Sequence, residues 1–106
     1  MWRFLIPALA LALSASPSQA QEPRAQRGFT FVQTHCAMCH SIGRFGESPL
    51  SEAPPFRTLS QIYPIENLAE SLAEGIITGH PSMPEFQLDP GQVNDVIAYL
   101  ELIQQK

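Results

Sequence analysis

The chain has 106 residues, of which 6 are basic and 10 acidic, so its formal charge is −4. This acidic balance argues against a nucleic-acid binder, which normally carries a basic patch. Because 44% of the residues are hydrophobic and only 15% are charged, the composition favours a folded domain over a disordered chain. The length allows one small domain. The 2 cysteines are too few for a disulfide scaffold, and no apolar run reaches the roughly 20 residues of a membrane span.

The N-terminus has the pattern of a secretory signal peptide. A short basic start precedes the apolar run 4–13, and Ser18-Gln19-Ala20 fits a small-x-small cleavage site. We predict that residues 1–20 are removed and that residues 21–106 form the mature domain in the periplasm. The alternative is an uncleaved membrane anchor, for which the run is short and is interrupted by Pro7.

The first helix is predicted over residues 23–35. Pro23 suits a first helical turn, where its missing N–H would have no partner anyway. The apolar residues that share one helical face are Phe29, Val32 and Cys36. Gly28 lowers helix propensity by about 1 kcal/mol relative to Ala, which a close crossing with another helix would explain.

The segment Cys36-Ala37-Met38-Cys39-His40 is a C-x-x-C-H sequence, the attachment motif of c-type haem. Two thiols three residues apart on a helical turn can each add across one vinyl group of the same porphyrin. His40 then lies under the iron and supplies an imidazole nitrogen as axial ligand. We therefore predict one haem c, attached covalently through Cys36 and Cys39, with His40 as the proximal ligand.

Three other uses of these cysteines remain open from the sequence. They could form a local disulfide, a thioredoxin-like redox pair, or a zinc site completed by His35, His40 or His80. A redox pair needs a βαβ framework, and no strand pattern surrounds the motif. A closed zinc site usually has a second ligand pair, which the sequence lacks. The haem interpretation is favoured, and His35 is expected to face solvent.

Residues 41–60 are rich in Gly and Pro and predict a loop around the cofactor. A second helix is predicted from Pro64 to Thr78 by its 3.6-residue period, with Gly79 as its C-terminal stop. Its other face carries three glutamates, Glu66, Glu70 and Glu74. They form either a solvated face or a docking patch for a basic partner.

The distal haem ligand is expected downstream of the attachment motif. Met38, between the two cysteines, cannot reach the opposite face of the ring, so Met83 is the remaining methionine of the mature chain. It lies in a Pro-rich stretch between two helical patterns, and a thioether suits low-spin haem iron. His80 is the competing ligand, and the alternative role for Met83 is to fill the core.

The last helix is predicted to begin at Asp89 as N-cap, with Pro90 at the first position and Gln92 at the third. Its apolar stripe comprises Val93, Val96, Ile97, Leu100 and Ile103. Tyr99 is expected to pack on the first helix or near the haem edge.

These motifs together resemble the small bacterial class I monohaem cytochromes c over residues 24–104. The resemblance rests on the C-x-x-C-H motif, on Met83 in a Met-Pro-x-Phe setting, on Gly28 in the first helix and on the helix around Tyr99. It implies an all-α fold with three main helices and long loops wrapped around one covalently bound haem. In that family an aromatic residue of the last helix packs across the glycine of the first.

The resemblance also implies contacts to the proximal histidine and to the haem propionates. A proline carbonyl of the family accepts a hydrogen bond from the proximal imidazole, and Pro54 aligns with it, Pro55 being the alternative. No Trp remains in the mature chain for a haem propionate. Arg44, Arg57 and Tyr63 are the candidates for that role. The docking ring of lysines found in mitochondrial-type members is absent.

The expected function is electron transfer, because a haem with both axial positions filled has no site for a substrate. The expected partners are redox proteins, a donor dehydrogenase or reductase and an acceptor oxidase, with the protein a monomer or a subunit of a redox complex. Two alternatives remain. One is a haem-based sensor or peroxidase-like protein with a labile distal ligand, and the other is a permanent cytochrome subunit of a periplasmic dehydrogenase or oxidase.

Overall fold

The computed structural model describes residues 3–5, 7–12, 18–75 and 82–105. Three α-helices are present in this part of the chain, α1 (Ser18–His35), α2 (Leu68–Glu74) and α3 (Pro90–Ile103). Two 3-10 helices, Phe56–Gln61 and Ile65–Asn67, precede α2. The described residues contain no β-strand, and the predicted all-α class with three main helices is confirmed.

Helix α1 is longer than predicted. It ends at His35 as expected, but it begins at Ser18 and contains Pro23 in its interior. The residues before Pro23 are mostly good helix formers, which explains why the helix continues past the proline toward the N-terminus. The predicted start at Pro23 is therefore wrong for the uncleaved chain.

Helices α1 and α3 cross at Gly28, as the glycine predicted. A Cβ at this position would overlap the Asp95 backbone oxygen and lie 2.9 Å from the Cβ of Tyr99. Beside the crossing, the rings of Phe29 and Tyr99 have centroids 5.4 Å apart. Arg27 donates from Nε and Nη2 to both Asp95 carboxylate oxygens, at 3.0 and 3.1 Å. A two-pronged ion pair of this kind fixes the relative orientation of the two helices.

The second helix is shorter than predicted. It starts as the 3-10 turn Ile65–Asn67, continues as α2 and ends at Glu74. Gly75 then adopts φ 108°, a left-handed conformation that favours glycine and stops the helix. The predicted end at Thr78 is wrong for this reason, and Gly79 lies outside the described residues.

Helix α3 begins as predicted. The Asp89 carboxylate accepts from the backbone N–H of Gln92 at 2.8 Å, and the Gln92 side chain accepts from the backbone N–H of Asp89 at 3.1 Å. This capping box satisfies two donors that would otherwise be unpaired at the helix start. The α3 residues buried in the core are Val93, Val96, Tyr99, Leu100 and Ile103.

The predicted loop 41–60 ends in the 3-10 helix Phe56–Gln61, a short element that its Gly and Pro content did not indicate. A hydrogen bond joins the first residue of the loop to the start of this 3-10 helix, since Phe56 N–H donates to the Ser41 carbonyl at 2.9 Å. The end of the chain holds it from the other side, since the Gln104 side chain donates to the Phe56 carbonyl at 2.7 Å. No described helix has the length and apolar character needed to cross a membrane.

Candidate haem-binding site

A cavity of about 570 Å³ lies between α1, the loop before Phe56, α2 and the segment before α3. Its volume falls in the roughly 300–1,000 Å³ range of pockets that take one small molecule or cofactor. All five residues predicted to bind the cofactor line it, namely Cys36, Cys39, His40, Pro54 and Met83. The structure thus brings together residues that are far apart in the sequence.

One side of the cavity is formed by residues 36–40, which we call the proximal turn. It continues the end of α1, since Cys36 N–H donates to the Val32 carbonyl at 2.8 Å and His40 N–H donates to the Cys36 carbonyl at 3.0 Å. This helical winding turns Cys36, Cys39 and His40 toward the cavity. Met38 points away and is 87% exposed, so it cannot serve as a ligand inside the cavity.

The His40 imidazole is held in a defined orientation. Its Nδ1 lies 2.8 Å from the Pro54 carbonyl oxygen, and its ring packs on Phe56 with centroids 4.7 Å apart. A carbonyl accepts only, so Nδ1 carries the proton and Nε2 keeps its lone pair for a metal. The Pro55 carbonyl is engaged elsewhere, because it accepts from the Thr58 backbone N–H and hydroxyl.

The two cysteine sulfurs are free thiols in the structure. Burial among apolar side chains raises the pKa of the Cys36 thiol to about 11, because the thiolate is disfavoured away from water. Among the described residues, no group of three or more His, Cys, Asp and Glu side chains is placed to hold a metal ion. The zinc alternative therefore has no ligand set there, and His80 lies outside the described residues.

Another part of the cavity wall is formed by residues 82–89, which we call the distal segment. Met83 is half-buried there and lines the cavity, together with Ser82, Pro84, Phe86 and Leu88. The Leu88 N–H donates to the Leu72 carbonyl at 2.8 Å, which joins the segment to α2. The segment thus brings the Met83 thioether to the cavity from a part of the chain remote from His40.

Of the three propionate candidates, Tyr63 alone lines the cavity. Arg44 donates from Nη2 to the Leu102 carbonyl at 3.1 Å, and Arg57 donates from Nη1 to the Ser41 hydroxyl at 3.0 Å. Both guanidinium groups hold loop 41–60 in place. Neither arginine lines the cavity, so the lining does not support the prediction that they bind a haem propionate.

Sequence reasoning missed polar residues that line the cavity, among them Glu52, Asn67 and Ser71. Asn67 and Ser71 are four residues apart, and this spacing on a helix next to Leu68 and Leu72 was an available signal. His35 is solvent-exposed as expected, but one face of its ring lies against Phe31, with centroids 4.5 Å apart.

The chemistry of the cavity fits a covalently bound haem. Its lining is mostly apolar and suits a flat porphyrin, as the side chains of Val32, Leu59, Val96 and Leu100 illustrate. The two thiols lie on the proximal turn, beside a histidine with a free ring nitrogen. A soft thioether lies in the separate distal segment, and thioether and imidazole are the axial ligands of c-type cytochromes.

Comparison with known proteins agrees with this geometry. The cytochrome c family matches residues 25–104 of the chain. A cytochrome c-552 from Bradyrhizobium diazoefficiens is 28% identical over 92 residues, which cover 87% of this chain and 86% of that protein. No solved structure matches the chain. The chain therefore belongs to the cytochrome c family. It is an electron carrier and not an enzyme, and its haem c is attached through Cys36 and Cys39.

Proposed function

We propose that the protein is a periplasmic one-electron shuttle in which His40 and Met83 are the axial ligands of the haem iron. One observation carries the proposal: His40 and Met83 are 43 residues apart in the sequence, yet they line the same cavity as the two attachment cysteines. The bound haem supplies the one-electron couple. With both axial positions filled by side chains, the site favours electron exchange over ligand binding.

The proximal side fixes the imidazole. The Nδ1–H of His40 donates to the Pro54 carbonyl at 2.8 Å, which sets the tautomer and raises the basicity of Nε2 toward a metal. Phe56 packs on the ring and limits its rotation. These contacts prepare one ligand geometry that can serve both oxidation states, which keeps the structural change during electron transfer small.

The distal side supplies the soft ligand. Ligation by Met together with His raises the reduction potential of haem iron. Phe86 and Leu88 of the same segment line the cavity together with Met83, so this part of the wall is mostly apolar. A high-potential carrier follows from this combination.

Location in the periplasm follows from the predicted signal peptide. Cleavage after Ala20 would leave α1 beginning near Gln21, with Pro23 in its first turn, where a proline is tolerated. Attachment of c-type haem outside the cytoplasm agrees with export. N-terminal sequencing of the haem-bearing protein is expected to begin at Gln21, and an intact Met1 would contradict the prediction.

The partners we propose are a donor dehydrogenase or reductase and an acceptor oxidase with a basic docking face. The mature domain would carry 5 basic and 10 acidic residues, and Glu66, Glu70 and Glu74 are all exposed. Association with a basic partner is steered by charge and slows as salt screens it. A rate of electron transfer that does not change with ionic strength would contradict this choice of partner.

The test of the ligand assignment is the optical spectrum of the holoprotein, oxidised and then reduced. We expect the weak thioether-to-iron charge-transfer band in the oxidised protein and its loss in Met83→Ala, together with rapid binding of carbon monoxide to the reduced variant. Met38→Ala is the matched control, because Met38 is exposed outside the cavity, and it should leave both properties unchanged.

Two results would contradict the ligand assignment, and a third would contradict the role as a free shuttle. If Met83→Ala kept the band and excluded carbon monoxide, His80→Ala would be the next variant to measure. A wild-type protein that binds carbon monoxide rapidly would instead favour the sensor or peroxidase-like alternative. Elution with a larger redox enzyme on size-exclusion chromatography would favour the permanent-subunit alternative.

A further inference from the structure

Three aromatic rings, those of Phe31, His35 and Phe86, lie in sequence along the wall of the haem cavity. We call them the ring stack. The centroids of Phe31 and His35 are 4.5 Å apart, and those of His35 and Phe86 are 6.2 Å apart with the planes at 65°. Both separations fall in the range of attractive aromatic pairs. His35 is therefore the middle ring of a contact between α1 and the distal segment.

The two ends of the ring stack differ in how firmly they are held. Phe31 and His35 are four residues apart on α1 and share one face, and α1 is fixed by its crossing with α3 at Gly28. Phe86 follows Met83 by three residues in an irregular segment. A ring fixed on α1 can therefore restrict the movement of the segment that carries Met83.

We propose that His35 is a positioning residue that holds the distal segment, and with it the Met83 thioether, against the haem iron. This inference rests on Met83 being the distal ligand, as proposed above. The imidazole acts through its ring, which is tilted against Phe31 and meets Phe86 in a T-shaped arrangement. Loss of this ring removes one contact between α1 and Phe86 and lets the distal segment move away more often.

The experiment measures how readily an added ligand displaces Met83 in the oxidised holoprotein. Imidazole is titrated into wild type, His35→Ala and His35→Phe, and its binding is followed by the loss of the charge-transfer band. We expect His35→Ala to bind imidazole about two- to tenfold more tightly, which corresponds to the loss of one aromatic pair. His35→Phe keeps a ring at the position and should stay within about twofold of wild type.

Phe29→Ala is the matched control. Phe29 also lies on α1 and forms an aromatic pair, but with Tyr99 and outside the haem cavity. This variant should lower the melting temperature and leave imidazole affinity unchanged, which separates positioning of Met83 from general stability. If His35→Ala does not accumulate as holoprotein, His35→Leu keeps apolar bulk without a ring and should show the same increase in imidazole affinity.

Each outcome bears on one claim. Equal imidazole affinity in wild type and His35→Ala, with the band present in both, overturns the inference and leaves Met83 as ligand. An increase in His35→Phe as large as in His35→Ala also overturns it, because the ring would then have no role. Absence of the band from the wild type overturns the proposed ligation and this inference together.

Discussion

The proximal turn and the distal segment form two parts of the wall of the same cavity, but they are built differently. The proximal turn is a continuation of α1. Its backbone hydrogen bonds keep the helical spacing, since Cys36 N–H donates to the Val32 carbonyl and His40 N–H to the Cys36 carbonyl. The distal segment has no helix of its own and depends on contacts with α2, α3 and the ring stack. The site thus joins a locally determined half to a half determined by tertiary contacts.

This difference gives the two halves different sensitivities. A change in the proximal turn acts on attachment of the haem itself, and hence on the whole core. A change near the distal segment is expected to act on Met83, the proposed sixth ligand, and to leave the attached haem in place. Regions with few backbone bonds to the rest of the fold open first, so exchange of the distal ligand is expected to precede global unfolding.

The largest effect is expected from replacing both thiols of the proximal turn. Cys36→Ser with Cys39→Ser removes both attachment bonds, and a domain of this size has few apolar side chains to compensate for lost cofactor contacts. We expect no covalent haem and a largely unfolded chain, measured by haem staining of denaturing gels and by far-ultraviolet circular dichroism. Helix content equal to that of the wild type would show that the polypeptide alone determines the fold.

A smaller but still large effect is expected from Gly28→Ala, at the crossing that supports the proximal turn. The new Cβ would overlap the backbone of α3 at Asp95, and backbone cannot yield as a flexible side chain can. Overpacking of this kind costs about 1–3 kcal/mol in the free energy of unfolding, measurable by urea denaturation of the holoprotein. Gly43→Ala is the control, because nothing lies within 4 Å of a Cβ at that position.

The proximal half of the site was predictable because the residues that define it lie close together in the sequence. Cys36, Cys39 and His40 lie within five residues of the chain. Outside this half, Asp89 with Gln92 defines the start of α3 within four residues, and Gly28 indicated a crossing because a glycine inside a helix has a cost that some contact must offset. Met83 was predicted by elimination of Met38, and Pro54 through the family resemblance, since no local pattern links either residue to His40.

The remaining features depended on contacts between distant residues. The contact between His35 and Phe86 joins positions that no spacing rule relates. Arg44 and Arg57 are engaged by Leu102 and Ser41, partners that only the folded chain supplies. The end of α2 was misplaced because Gly75 was passed over in favour of Gly79, although a left-handed glycine at either position would stop a helix.

A moderate effect is expected at the start of α3, directly after Met83. Asp89→Ala removes the acceptor for the Gln92 N–H, and loss of such a cap costs about 1 kcal/mol. Because the cap lies in the distal segment, the variant should also bind imidazole more tightly than wild type. Asp89→Asn keeps an acceptor and is expected to retain most of the stability. Equal urea midpoints for wild type and Asp89→Ala would mean that the cap contributes nothing.

An effect of similar size, but one that depends on pH, is expected at Tyr99, which joins α3 to the start of loop 41–60 by donating its hydroxyl hydrogen to the Ile42 carbonyl. Burial raises the pKa of the Tyr99 phenol above its ordinary value, and the charge of Arg44 opposes this in part. An unfolded phenol ionises near pH 10, below the folded value. The contribution of Tyr99 to stability is therefore complete below about pH 10 and is lost as the pH rises through the folded pKa.

Tyr99→Phe separates this contribution from the rest of the fold. At neutral pH the variant should be less stable by about 0.5–1.5 kcal/mol, because it lacks the hydrogen bond and leaves the Ile42 carbonyl without this donor. As the pH rises past about 10, the wild type should lose stability faster than the variant, and the difference between their urea midpoints should narrow. A difference that stays constant across this range would mean that the pKa of the Tyr99 phenol is the same in the folded and unfolded chains. The hydroxyl proton would then contribute nothing to stability that ionisation removes, and the joint between α3 and loop 41–60 would not respond to pH.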